Sequence, residues 1–313
     1  MKCLVTGGAG FIGSHLCERL LGQNHEVICI DNERTGKKSN IFHLLSKKGF
    51  SYIHGDIVTI DIDPLHPQYI FHFASPASPR WYQRYPIETL LVNTYGTYKL
   101  LELSRKEKSI VIFASTSEVY GDPLEHPQKE SYWGNVNPNG PRSCYDEAKR
   151  CGEAYMMAYV RAHKIDGRIV RIFNTYGPRM DQNDGRVVSN FIYQAISNKP
   201  ITIHGDGNQT RSFCYVSDLV DGIVTMAFTP RLSGEVINLG NDKEITVKAL
   251  ADTICRLVGK KLQYIFLRLP IDDPTKRRPQ LEKAKKLLHW KPTVSLEEGL
   301  KKTIAYFQKK ERV

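Results

Sequence analysis

Tyr145-Asp146-Glu147-Ala148-Lys149 sets a phenol and an ammonium four residues apart. On a helix that spacing projects both side chains from one face, where they can work as an acid/base unit. Tyrosine alone is a poor base at neutral pH. A neighbouring ammonium is expected to stabilise the phenolate and lower its pKa, so that a hydroxyl proton can leave as hydride passes to a cofactor. The pair by itself is a weak signal, because a core aromatic beside a solvated charge has the same spacing. Its weight comes from a dinucleotide fingerprint at the N-terminus and from Ser115-Thr116-Ser117-Glu118, which ends a strand upstream.

The fingerprint is Leu4-Val5-Thr6-Gly7-Gly8-Ala9-Gly10-Phe11-Ile12-Gly13. It follows an apolar strand and opens a helix, the context in which GxGxxG has meaning. Glycines 8, 10 and 13 give that register, and glycines 7, 10 and 13 give GxxGxxG. Either lets a pyrophosphate approach the free N–H groups of a helix N-terminus. Asp31 closes the second strand, where a carboxylate accepts from the adenosine ribose hydroxyls and repels a 2′-phosphate, which favours NAD over NADP. Arg34 is the counter-signal, a cation placed to answer that phosphate. Asp56 is placed either to reach the adenine or only to form a turn. The expected cofactor set is Gly7, Gly10, Phe11, Ile12, Gly13, Asp31, Asn32, Arg34, Thr35, Gly36, Asp56, Ile57, Phe73 and Thr175, with Tyr145 and Lys149.

These groups need a parallel sheet to hold them. Apolar runs at 3–6, 26–31, 52–54, 69–74, 110–114 and 169–173 alternate with helical patterns from Phe11, over 88–106, over 143–163 and over 188–197. That βαβ rhythm predicts a doubly wound Rossmann sheet. After Asn174 the texture shortens and grows rich in Gly, Pro and Asn. We expect a Rossmann domain over 1–175 and a smaller α/β substrate-binding lobe over 176–313, with elements from about 213–240 returning to the first.

Composition narrows the function classes. The 313 residues are 41% hydrophobic and 25% charged, ordinary for a soluble enzyme with a sizeable core. No apolar run reaches the length of about 18 residues that a membrane span needs, and Met1-Lys2 leads straight into a strand, so a cytoplasmic protein without signal peptide is expected. Seven scattered cysteines contain no CxxC pair and fit reduced, buried thiols. The ten histidines show no metal spacing, so no metal is expected. The net charge of +11 is spread over separated clusters such as Lys37-Lys38 and Lys260-Lys261, a pattern of solvated faces that also attracts a small anion, and no nucleic-acid partner is expected.

Taken together, GGAGFIGSH at 7–15, SPASP at 75–79, STSEVYGDP at 115–123, GPRSCYDEAKR at 140–150, RIFNTYGPRM at 171–180, DGRVVSNF at 184–191, QTRSFCYVSDL at 209–219 and DDPTKRRP at 272–279 resemble the extended short-chain dehydrogenase/reductases that act on nucleotide sugars. Within that family the chain looks most like the UDP-glucuronate decarboxylases, or UDP-xylose synthases. The resemblance implies NAD, a UDP-sugar substrate and a homodimer. It implies a catalytic set of Thr116 at the sugar 4-hydroxyl beside Tyr145, Lys149 at the nicotinamide ribose, and Glu118 with Ser117 near C5. It also implies a substrate set of Pro79, Tyr82, Asn174, Arg186, Val187, Thr202, His204, Gly205, Gln209, Arg211 and Arg277. Phe73 stands where the family commonly has Leu.

Read without the resemblance, Thr116 and Ser117 are also turn formers and Arg186 and Arg211 also surface ion-pair partners. Trp81 and Tyr82 beside Arg80 read first as packing. Neighbouring reactions set the alternatives. A dTDP-glucose 4,6-dehydratase has Asp where this chain has Ser117, and a UDP-sugar 4-epimerase usually lacks the acid at Glu118. A non-catalytic NAD sensor or a basic nucleic-acid binder has no need of Thr116, Tyr145 and Lys149 together.

Overall fold

The computed structural model describes residues 1–269 and 276–311, so Asp272 to Thr275 of the DDPTKRRP motif lie outside the described residues. Seven strands form one sheet: β1 (Lys2–Thr6), β2 (Glu26–Asp31), β3 (Phe50–His54), β4 (Tyr69–His72), β5 (Ile110–Thr116), β6 (Gly167–Ile172) and β7 (Val236–Leu239). Their order across the sheet is β7-β6-β5-β4-β1-β2-β3, every pairing parallel. Central strands such as Cys3-Leu4-Val5 and Val27-Ile28-Cys29-Ile30 are apolar at every position because helices cover both faces. The resulting Rossmann-like α/β fold opens a crevice beyond the carboxyl ends of β1, β4 and β5, where such sheets bind ligands.

The helices are α1 (Phe11–Gly22), α2 (Pro79–Arg84), α3 (Pro86–Asn93), α4 (Tyr95–Glu107), α5 (Ser143–His163), α6 (Val187–Ile196), α7 (Val216–Phe228), α8 (Val247–Val258), α9 (Glu282–Leu288) and α10 (Leu296–Glu311). The single helix expected over 88–106 is two, bent at Thr94 with φ −106° and ψ −75°. There the Thr94 hydroxyl donates to Leu90 O at 2.7 Å, a local bond that competes with the helical ladder. Residues 79–84, to which periodicity assigns no element, form a short helix started by Pro79 at its first turn.

Three small sheets complete the wall of the crevice. Thr175–Tyr176 pairs with Cys214–Tyr215, and Ile201–His204 with Tyr264–Leu267. Thr210–Ser212 lies between Glu244–Thr246 and Lys276–Arg277, in a register that sets Arg211 opposite Arg277.

Candidate active site

The first turn of α5 faces the end of β5 and carries the proposed acid/base unit into the crevice. Tyr145 and Lys149 are both buried, with the Lys149 nitrogen 5.8 Å from the Tyr145 ring centroid. Lys149 donates to Ala114 O at 2.7 Å, which fixes its reach along β5. Burial draws its pKa down to about 7, against the opposing charge of Glu153. Thr116 lies beside the Tyr145 phenol and favours its ionised form. Tyr82 stacks flat on the Tyr145 ring at 5.0 Å, its own side chain fully covered.

The expected lowering of the Tyr145 pKa is corrected by this geometry. Burial and the Glu118 carboxylate push the phenol upward, and Thr116 and the Arg186 charge oppose them without winning. Helical spacing gives proximity to an ammonium; it does not reveal the anion that tertiary folding adds.

Glu118 occupies the end of β5 beyond Thr116, whose side chain accepts from the Glu118 N–H at 3.2 Å. Arg277 grips the carboxylate through both guanidinium ends, at 2.6 and 3.1 Å, and Arg142 adds a further contact. Burial alone would raise the acid, yet the two guanidiniums hold it at about 2. The two guanidiniums thus favour the ionised carboxylate. Asp146 on the neighbouring turn moves the other way, to about 8, through burial and the Glu118 charge.

A cavity of about 540 Å³ runs from this cluster to the ends of β2 and β3, within the range of small-molecule sites. The glycine register is resolved here. Gly7, Gly10 and Gly13 line the cavity, whereas Gly8 is turned into the core, where an added Cβ would lie 2.5 Å from the Cys29 sulfur. A Cβ at Gly13 would stand 2.1 Å from Gly7 O, and Gly7 itself has φ +72°, so the cradle is one that side chains would fill. Asp31 accepts from the Ala9 N–H at 2.9 Å and the Glu33 N–H at 2.8 Å, which aims its carboxylate at the cavity. Asn32, Thr35, Gly36, Asp56, Ile57, Phe73 and Thr175 also line it, with Phe11 and Ile12. These residues fit an adenosine diphosphate. Arg34 lines the cavity as well, where it pairs with Glu88 at 3.2 Å and lies over the Tyr85 ring.

Toward the small sheets the same cavity is lined by Pro79, Asn174, Arg186, Val187, Thr202, His204, Gln209, Arg211 and Arg277, with Ser117 beside Glu118. Two expected substrate contacts do not reach it. Tyr82 lies behind Tyr145 as its stacking support, and Gly205 is a turn at φ +72° packed against Leu269. Sequence reasoning missed Arg142 and Trp81 as lining residues. For Arg142 a signal existed: it stands three residues before Tyr145, one turn away on the same face. Among the described residues no group of three or more His, Cys, Asp or Glu side chains could hold a metal ion.

Comparison with known proteins places this geometry. The chain is 50% identical over 310 residues to UDP-glucuronic acid decarboxylase 1 of Xenopus tropicalis, covering 98% of this chain and 72% of that one. To UDP-glucuronic acid decarboxylase 1 of Arabidopsis thaliana it is 48% identical, covering 98% and 70%. The crystal structure of UDP-glucuronic acid 4-epimerase from Bacillus cereus with UDP-glucuronic acid and NAD superposes with a TM-score of 0.90 at 32% identity, covering 99% of both chains. Residues 3–240 match the NAD dependent epimerase/dehydratase family. The chain belongs to that family.

Proposed function

We propose that this chain is a UDP-glucuronic acid decarboxylase that makes UDP-xylose with NAD as its cofactor. One observation carries the reading: over nearly the whole chain, identity to the decarboxylases runs well above identity to the 4-epimerase that shares the fold.

In this reading the glycine cradle and Asp31 hold the adenosine and pyrophosphate end, and Lys149 holds the nicotinamide ribose. Bound NAD supplies the oxidation at C4 of the sugar and its later reversal. Tyr145 would take the C4 hydroxyl proton in the first half and return it in the second, its phenolate being favoured once the cationic nicotinamide ring adds its charge to that of Lys149. The uronic carboxylate is then β to a ketone, so the C5–C6 bond breaks with CO2 leaving and its electron pair enters an enolate. Thr116 and Tyr145 hydrogen-bond the enolate oxygen. Glu118, ionised beside Arg142 and Arg277, orients a water that protonates C5 and is reprotonated from solvent, so one proton is taken up for each CO2 released. Arg211 and Arg277 supply positive charge for the diphosphate and the extra anion of a uronic acid. Ser117 offers no acid for expelling a C6 hydroxyl, which separates the reaction from a 4,6-dehydration.

The two-lobe division at about residue 175, with 213–240 returning to the cofactor lobe, is part of this reading. So is a homodimer: Ile87, Leu91, Tyr95 and Tyr98 are 62, 42, 48 and 40% exposed along one face of α3 and α4, an apolar patch suited to a second copy. A reducing, cytoplasmic setting suits the seven unpaired cysteines. Incubation with UDP-glucuronic acid labelled at C6 tests the function. Labelled CO2 with an unlabelled UDP-pentose is expected; label retained in a UDP-hexuronic acid would replace the decarboxylase by an epimerase.

A further inference from the structure

Three loops meet over the outer rim of the cofactor half of the crevice, and each is tied to the other two. The loop after β2 reaches the α2–α3 segment through Arg34, which pairs with Glu88 at 3.2 Å and lies 5.3 Å over the Tyr85 ring. The α2 segment reaches the loop before α6 through Arg80, which donates to Asn183 O at 2.7 Å. That third loop returns to the first through Asp181 and Lys37, 3.2 Å apart.

The α2 segment is stiffened by an alternation of cations and rings. Trp81 and Tyr85 are stacked at 6.1 Å and 5°. The Arg84 guanidinium lies 5.9 Å from the first ring and 5.7 Å from the second, and Arg80 lies 5.6 Å from Trp81. Arg34, Lys37, Trp81 and Asp181 border both the main cavity and a second cavity of about 600 Å³ outside it. They form the partition between the two. Arg84 touches neither cavity, so it can act only through the rings it holds.

We propose that this tie is a clasp that retains bound NAD through the turnover, with Trp81 its central contact and Arg84 a positioning residue. The inference rests on the NAD-dependent reading above, in which a cofactor lost between oxidation and re-reduction would strand the sugar at the ketone stage. Each contact is individually weak. Acting together at the rim, they have to break before the dinucleotide can leave.

The test loads the full-length protein with radiolabelled NAD, chases with excess unlabelled NAD, and follows label retained on rapid filtration. Trp81→Ala and Arg84→Met should each release label on the order of tenfold faster, the scale of one or two cation–π contacts. Trp81→Phe, which keeps a ring for the two guanidiniums, should stay within about twofold of the unmodified protein by the same reasoning. UDP affinity should be unchanged in all three. Unchanged release in folded Arg84→Met would overturn the clasp while leaving the cofactor assignment intact. An unmodified protein that loses all its label at once on chasing would overturn the clasp too, whereas one that takes up no label before the chase would count against the NAD reading itself. Arg84 is exposed, so its replacement keeps the test decisive even where Trp81→Ala folds poorly.

Discussion

Replacing Glu118 by Gln gives the sharpest test of the charge arrangement, because the amide imitates a protonated carboxyl in size. In the native chain three charge-assisted contacts from Arg277 and Arg142 converge on that carboxylate and hold it at about 2 against an ordinary value of 4.5. Removing one partner of a buried ion pair costs about 3 kcal/mol or more, because the opposite charge is left buried and uncompensated. Because the folded pKa lies below the unfolded one, the folded state binds fewer protons. The contribution is complete above about pH 4.5 and is lost as pH falls toward about 2. Glu118→Gln should therefore lower stability at pH 7 by about 3 kcal/mol, on the order of 5 °C in Tm for a chain this long. The deficit should shrink as pH falls through that window, since the unmodified protein then loses the same charge. Thermal melts of both proteins at pH 7, 5 and 3.5 measure it. A deficit at pH 7 below about 1 kcal/mol, the value of an exposed pair, or one that does not shrink with acid, would refute the buried cluster. Turnover of UDP-glucuronic acid should also fall, with cofactor binding retained.

Tyr145→Phe should leave folding and NAD binding intact and slow turnover by about two to four orders of magnitude, the usual contribution of a positioned acid/base; near-normal rates would remove its role. Asp31→Ala should narrow the preference for NAD over NADP, read by titration with each, and equal affinity in the unmodified protein would contradict the placement of that carboxylate. Ile87→Lys with Leu91→Lys should convert a dimer to a monomer on sedimentation, and an unmodified protein that sediments as a monomer would show that another partner, or none, covers this face.

The parallel sheet and the cofactor end were legible in the chain itself. Both depend on local order: an apolar strand, a glycine turn and a helix follow one another within about thirteen residues, and no distant contact is needed to recognise them. The same holds for Tyr145 and Lys149, since helical periodicity alone puts them on one face. What that local order left open, the tertiary structure decided. Gly8 and Gly7 are adjacent in sequence, and only the packing of Gly8 against the sulfurs of Cys17 and Cys29 shows which one faces the cavity. Tyr82 stands well apart from Tyr145 in the chain but supports its ring from outside the cavity lining, so it packs rather than faces the cavity. Above all, the charge state of the site is set across long separations. Arg277 is 159 residues from Glu118, and it arrives there because a short parallel strand aligns it with Arg211. Coulomb attraction depends on distance in space and on exclusion of water; neither is written in residue spacing, which is why the sequence placed Tyr145 beside Lys149 while only the fold set the charges around them.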